Sequence, residues 1–213
     1  MQWITELALE RADGGVFTRE QAALWVKNRG AGLNGLLKRA VAGGEVWRLH
    51  RGLYSLSERY TRNPINPLEL AQRIHGPSYL SLETALSRHG WIPEGVQAIT
   101  SAADGRSRVF NTPVGLFSFT RVPQRVFLAG VRRVADDEGG GAFFLATPLK
   151  ALADLVYAQR RDWHSAAPVV ESLRVEEESL AELRAELFDE VLPAYPPGRV
   201  VRFLEGLRKD LGR

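Results

Sequence analysis

The run VFTREQAALWVKNRGAGLNGLLKRAVAGGEVWRLHRGLYSLS, from Val16 to Ser57, decides the fold. It holds two short helical patterns followed at once by a basic strand, a tight turn and a second strand, an order that predicts a winged helix-turn-helix. In the second helical pattern Leu33, Leu36, Leu37, Ala40 and Val41 fall at i, i+3, i+4, i+7 and i+8. That spacing stacks them as one apolar stripe and leaves Asn34, Lys38 and Arg39 off it. Gly43-Gly44 stops the helix, and Glu45 to Leu49, His50-Arg51-Gly52 and Leu53 to Leu56 read as strand, turn and strand.

A helix with Asn, Lys and Arg on its outer face suits a major groove, where Asn can read adenine and Arg can read guanine. Asn34, Lys38 and Arg39 are therefore expected to face bases, and Arg29, Arg48, His50 and Arg51 to hold phosphates. Two plainer readings compete: a protein docking platform, and surface cations that only solubilise. Charge placement separates them. Between Trp25 and Arg62 stand Lys27, Arg29, Lys38, Arg39, Arg48, Arg51, Arg59 and Arg62 against Glu45 and Glu58, in a chain whose net charge is only +3. The rest of the chain is net acidic, so the basic concentration is local, as phosphate binding requires.

Ahead of this run, Trp3, Ile4, Leu7 and Ala8 share one helical face, and Asp13-Gly14-Gly15 ends the helix. Thr18 stands three residues before Gln21, a capping-box spacing that opens the helix through Ala22, Ala23, Trp25 and Val26. Asn28 to Gly32 then forms a glycine-rich connection, longer than the turn of a tight helix-turn-helix.

With 213 residues, 45% of them hydrophobic, the chain can bury a substantial core in one or two domains. It has no cysteine, which excludes disulfides and thiolate ligands. The first fifteen residues mix charges among apolar positions instead of forming a signal-peptide core, and no apolar run reaches the roughly 18 residues of a membrane span. The expected compartment is the cytoplasm, with no membrane partner.

Two prolines and two asparagines between Tyr60 and Pro67 place a domain junction there, giving a DNA-binding unit over 1–62 and a second domain over 68–213. Leu68, Leu70, Ala71 and Ile74 suggest a helix, and Ser81 is expected to cap another through Leu82, Ala85, Leu86 and His89 to Gly90. From Gln97 the period becomes two. Strands are expected over Gln97–Ser101, Arg106–Thr112, Gly115–Val122, Gln124–Leu128 and Ala142–Ala146. Thr147-Pro148 opens an amphipathic helix through Leu149, Leu152, Ala153, Val156 and Tyr157 that should cover the sheet. Ser165 to Leu192 reads as further helix with an acidic face, and Val200, Val201, Leu204 and Leu207 as a last one. The expected fold class is α+β: an N-terminal winged helix-turn-helix, then a mixed C-terminal domain whose mostly antiparallel sheet is covered by helices.

Catalytic patterns are missing. There is no Walker loop, G-x-G-x-x-G, H-E-x-x-H or G-x-S-x-G, and Gly139-Gly140-Gly141 lacks a following Lys-Ser or Lys-Thr. His50, His75, His89 and His164 have no metal-like spacing, and Asp136-Asp137-Glu138 reads as a solvated hairpin tip. None of the four lysines has Glu two positions before it, as a nuclease would favour. No metal, cofactor or enzymatic activity is expected.

Three stretches carry a resemblance: RGLYSL at Arg51 to Leu56, SYLSLETALSRHGWIPE at Ser78 to Glu94 with the ITSA beginning at Ile99, and ATPLKALADLVY at Ala146 to Tyr157. In that order the chain resembles the AbiE-type antitoxins, the AbiEi-like antitoxins of type IV toxin–antitoxin systems, also described as predicted transcriptional regulators of viral (phage) defence systems. The resemblance implies an N-terminal domain that binds operator double-stranded DNA and represses its own operon. It also implies a C-terminal domain that neutralises a cognate nucleotidyltransferase-like toxin; a monomer on repeated operator sites is one arrangement it allows. Ser81, Glu83, Ala85, His89, Gly90, Thr147, Pro148, Lys150, Ala151 and Asp154 match the family's motifs and are carried over as structural signatures, without catalytic roles. The long Asn28 to Gly32 connection departs from the pattern. Two rivals remain: a plain repressor whose second domain senses a ligand or dimerises, and a nuclease guided by a DNA-binding module.

Overall fold

The computed structural model describes residues 1–26, 32–61, 64–93, 97–135 and 141–213. Arg29 with most of the Asn28 to Gly32 connection, Arg62 and Asn63 of the junction, and Asp136 to Gly140 lie outside them.

The chain begins with helix α1 (Trp3–Arg11), strand β1 (Val16–Thr18), helices α2 (Arg19–Trp25) and α3 (Leu33–Ala42), and strands β2 (Val46–His50) and β3 (Leu53–Leu56). The strands form an antiparallel sheet in the order β1-β3-β2. Local chemistry sets the boundaries. The Thr18 hydroxyl accepts the Gln21 N–H at 3.2 Å while Thr18 N–H donates to the Gln21 side chain at 2.8 Å, a closed capping box. Leu36, Leu37 and Ala40 of α3 are buried with Ile4, Ala8, Phe17, Val46 and Leu56 in a small core. Glu45 sits at the edge of that core. Its carboxylate accepts the Thr5 hydroxyl and the Gln2 N–H, both at 2.6 Å, and these donors hold its pKa below the ordinary carboxylate value.

Two expectations need correction here. The spacing predicts Val41 on the packed stripe of α3, yet it is 37% exposed, because the packed face closes at Ala40 and Val41 turns past it. Val16–Thr18 is a strand that the sequence did not announce: three residues are too few to register an alternation, and pairing with β3 makes them extended.

The remainder is built on a six-stranded sheet. Helix α4 (Pro67–Ile74), capped by the Asn66 side chain on Leu68 N–H at 2.9 Å, leads to β4 (Ser78–Leu80), α5 (Leu82–Arg88), β5 (Ala98–Ala103), β6 (Arg108–Thr112) and β7 (Gly115–Arg121). Strands β8 (Val131–Ala135) and β9 (Ala142–Ala146) complete it, in the order β6-β7-β5-β4-β9-β8. Helices α6 (Pro148–Ala158), α7 (Ala167–Leu173), α8 (Glu177–Ala181), α9 (Ala185–Val191) and α10 (Arg199–Asp210) follow. The class is α+β.

The sheet is mixed: β6–β7, β5–β4 and β9–β8 pair antiparallel, while β7–β5 and β4–β9 pair parallel. Gln124–Leu128 is not a strand. It is a bend and turn, with Arg125 N–H on the Ala194 carbonyl at 2.7 Å and Val126 and Leu128 exposed. Strands β4 and β8 escaped the sequence reading because neither alternates: β4 is buried at all three positions and β8 carries Arg132-Arg133 in its middle. The stretch Ser165 to Leu192 is three short helices, broken where Arg174 turns left-handed at φ 56°. Helix α6 is more than a cover. Every residue from Leu149 to Val156 is buried, since it lies between the sheet and helices α5, α9 and α10.

The two sheets meet directly. Val16, Leu49 and Leu53 belong to the large core, and the Arg73 guanidinium donates to the Asp13 carbonyl at 3.2 Å and the Val16 carbonyl at 2.7 Å. His50 lies against Phe110 with ring centroids 5.4 Å apart. No helix among the described residues is long and apolar enough to cross a membrane.

Candidate functional site

A groove of about 920 Å³ runs between α3, the β2–β3 hairpin and the start of α2. Asn34 and Lys38 line it from α3, one helical turn apart; Arg48 and Arg51 line it from the hairpin; Arg19 lines it from α2. Four cations from three elements thus converge, with Glu20 as the acidic member of the lining. All four are exposed, and among the described residues Lys38, Arg48 and Arg51 have no carboxylate within 4 Å. Their charge is available to a ligand.

The groove's shape follows from a few contacts. Arg19 N–H donates to the Gly52 carbonyl at 2.8 Å, which pins the start of α2 to the hairpin turn, where Gly52 has φ 88°. The Arg19 guanidinium then reaches α3, with Nη2 and Nε 3.2 and 3.4 Å from Asn34 Oδ1. Tyr54 backs the groove from β3, stacked on Phe17 at 5.8 Å, and Phe17 in turn meets Trp25 at 5.3 Å. Leu37 and Val41 add apolar surface.

The structure brings Asn34, Lys38, Arg48 and Arg51 together and leaves the other described residues apart. Arg39 is exposed on the adjoining flank of α3, near Gly35, and does not line the groove. His50 does not line it. A bulge shifts the β2–β3 register between Arg48 and His50, so the alternation that would place both on one face fails, and the imidazole packs on Phe110. Burial holds the His50 pKa below its ordinary value, and the nearby Arg48 charge pushes the same way. Half-buried against Phe110, the imidazole does not line the groove and is not placed to meet a phosphate there. Arg29 lies outside the described residues.

Arg19 lies ahead of the basic concentration between Trp25 and Arg62, so charge placement does not single it out; its local signal is its position directly after the Thr18 cap.

A second polar cluster is deeply buried. Lys150 Nζ donates to Gln124, to Tyr195 Oη at 2.7 Å and to Asp154 Oδ1 at 3.3 Å, while Asp154 also accepts Tyr195 at 2.6 Å, Tyr79 at 2.9 Å and Ser81 at 2.6 Å. Lys150 and Asp154 are both wholly inaccessible to solvent. Burial lowers the Lys150 pKa against the pull of Asp154, and burial raises those of Tyr79 and Tyr195. All three Lys150 donors are engaged and Asp154 accepts four bonds, so the cluster ties α6 to β4 and to the chain around Gln124 and Tyr195 and has no free group to offer a reactant. Of these residues the sequence reading singled out Ser81, Lys150 and Asp154; Tyr79, Gln124 and Tyr195 join only through the fold.

The other histidines are accounted for locally. His75 and His89 end α4 and α5, with Nε2 3.1 Å from the Arg106 carbonyl and 2.8 Å from the Ala146 carbonyl, and His164 lies 3.3 Å from Asp162. Among the described residues no group of three or more His, Asp or Glu is placed to hold a metal ion. Comparison with family models and with curated proteins finds no match to this chain.

Proposed function

We propose that the chain is an antitoxin and transcriptional autorepressor. Its N-terminal part acts as a winged helix on operator double-stranded DNA, and its C-terminal part neutralises a cognate nucleotidyltransferase-like toxin. The observation that carries the DNA-binding half is the convergence of Arg19, Lys38, Arg48 and Arg51 on one groove between a helix and a hairpin. A helix lying in a major groove with a basic hairpin on the flanking phosphates needs cations in those places. The order of three helices, with a hairpin after the third, agrees with that reading. In it α3 is the recognition helix, presenting Asn34 and Lys38 to base edges, and β2–β3 is the wing, with Arg48 and Arg51 on phosphates.

The antitoxin half rests on the likeness of Ser78 to Glu94 and Ala146 to Tyr157 to AbiE-type antitoxins. These stretches hold Ser81, Lys150 and Asp154, which meet in the buried cluster and support the fold of the C-terminal part. No reacting group is assigned, and the chain acts by binding.

Two measurements test the proposal with the full-length chain. Titration against duplex DNA from upstream of its own gene should give binding that weakens steeply with salt; affinity independent of salt contradicts the groove assignment. Co-expression with the product of the adjacent gene should restore growth where that product is toxic. Growth arrest that the chain does not relieve removes the antitoxin half and leaves the repressor.

A further inference from the structure

The arrangement of Arg19 and Asn34 bears on which base the groove selects. A guanidinium has hydrogens to donate and no lone pair to offer, so the Asn34 amide atom facing it must be the carbonyl oxygen. Both Nε and Nη2 of Arg19 converge on that one oxygen, at 3.4 and 3.2 Å. The Asn34 Nδ2, with its two hydrogens, is left without a partner among the described residues. Arg19 itself is held in place by its backbone bond to Gly52, so the guanidinium approaches Asn34 from a fixed base. An asparagine usually reads adenine by accepting from N6 and donating to N7, which needs its oxygen free. Here two Arg19 hydrogens converge on that oxygen, which has two lone pairs, so what remains unpartnered on both side chains is hydrogens. Guanine, with acceptors at N7 and O6, suits such a pair; adenine would set its N6 amine against another donor.

We propose that Arg19 and Asn34 act as one donor-only unit that selects guanine over adenine at a major-groove position of bound DNA. The inference rests on the reading of this groove as a DNA-binding surface. Asn34 touches the base, and Arg19 is the positioning residue that sets which face of the amide is offered.

The test is selection by the full-length chain from a randomised duplex library, run in parallel with Arg19→Ala and Asn34→Asp. The wild type should enrich guanine at one position. Arg19→Ala, which frees the Asn34 oxygen, should move that same position to adenine by roughly tenfold, the order of one good base contact. Asn34→Asp, which exchanges the free donor for an acceptor, should move it to a base carrying an exocyclic amine there. A wild type that already prefers adenine at that position, or an Arg19→Ala variant that gains no adenine, overturns the inference. Duplex retained with no base preference overturns it as well while leaving the DNA-binding reading intact. If the wild type retains no duplex at low salt, the DNA-binding reading itself falls.

Discussion

Arg48 and His50 lie two residues apart on one strand with a bulge between them, and they meet different surroundings. Arg48 enters the basic groove, and His50 packs on Phe110 of the second sheet. Two hairpin residues that look alike by charge therefore differ in their contacts, and that difference can be measured.

Replacing Arg48 and Arg51 together with Ala should weaken binding to every duplex and flatten the log-log salt dependence by about 0.9 per lost phosphate contact. Base preference should survive. Salt titration of the double variant on matched and scrambled duplexes checks both, and an unchanged slope would remove these two residues from the phosphate surface.

His50→Ala should leave that slope untouched and instead loosen the joint between the sheets, lowering stability by about 1 kcal/mol, the usual scale for a half-buried side chain. Thermal unfolding beside the same salt titration separates the outcomes. A slope that drops with the melting temperature unchanged would return His50 to the groove.

Lys150 and Asp154 make a second test, because both are fully buried and neither has water to fall back on. Lys150→Met should destabilise by about 3 to 5 kcal/mol by leaving a buried carboxylate without its cation. The Lys150→Met/Asp154→Leu double variant should lose clearly less than the two single losses combined, since it removes both charges. Denaturant unfolding of the four proteins measures the coupling; strict additivity would show that the pair does not act as one unit.

Glu190 ties α9 to the sheet through a bidentate pair with Arg132, at 2.8 and 2.5 Å, and accepts Gly130 N–H at 2.7 Å. The Arg132 bonds, helped by Gly130, pull its pKa from 4.5 down to about 2. A depressed carboxylate pKa stabilises the fold fully above the unfolded value, and that contribution disappears as pH falls through the folded one. Wild type should therefore lose stability relative to Glu190→Gln between about pH 4.5 and 2, while the two keep a constant difference above pH 5.5, roughly a unit beyond the unfolded value. Unfolding midpoints across that range decide it, and parallel curves below pH 4.5 would mean that Glu190 carries no acid dependence.

Local chemistry was enough to read the helices and one face of the candidate site. The Thr18 cap, the Leu33/Leu36/Leu37/Ala40 spacing, Gly43-Gly44 and Thr147-Pro148 act within a turn or two of chain, so α2, α3 and α6 begin or end where those residues stand. The same periodicity separated Asn34 and Lys38 from the buried face of α3. Tertiary structure decided the rest, because the deciding partners are far apart in the chain. Val16–Thr18 is a strand because β3 pairs with it, and Gln124–Leu128 is not one although its composition suits a strand, because Arg125 bonds to Ala194 instead. His50 left the groove through a one-residue register shift that composition does not encode. Arg19 entered it by a contact across fifteen residues, and Lys150 became part of a closed polar cluster only when Tyr79, Gln124 and Tyr195 were folded around it. Sequence periodicity reports which face of an element is apolar; which partner that face meets is set by packing between distant segments.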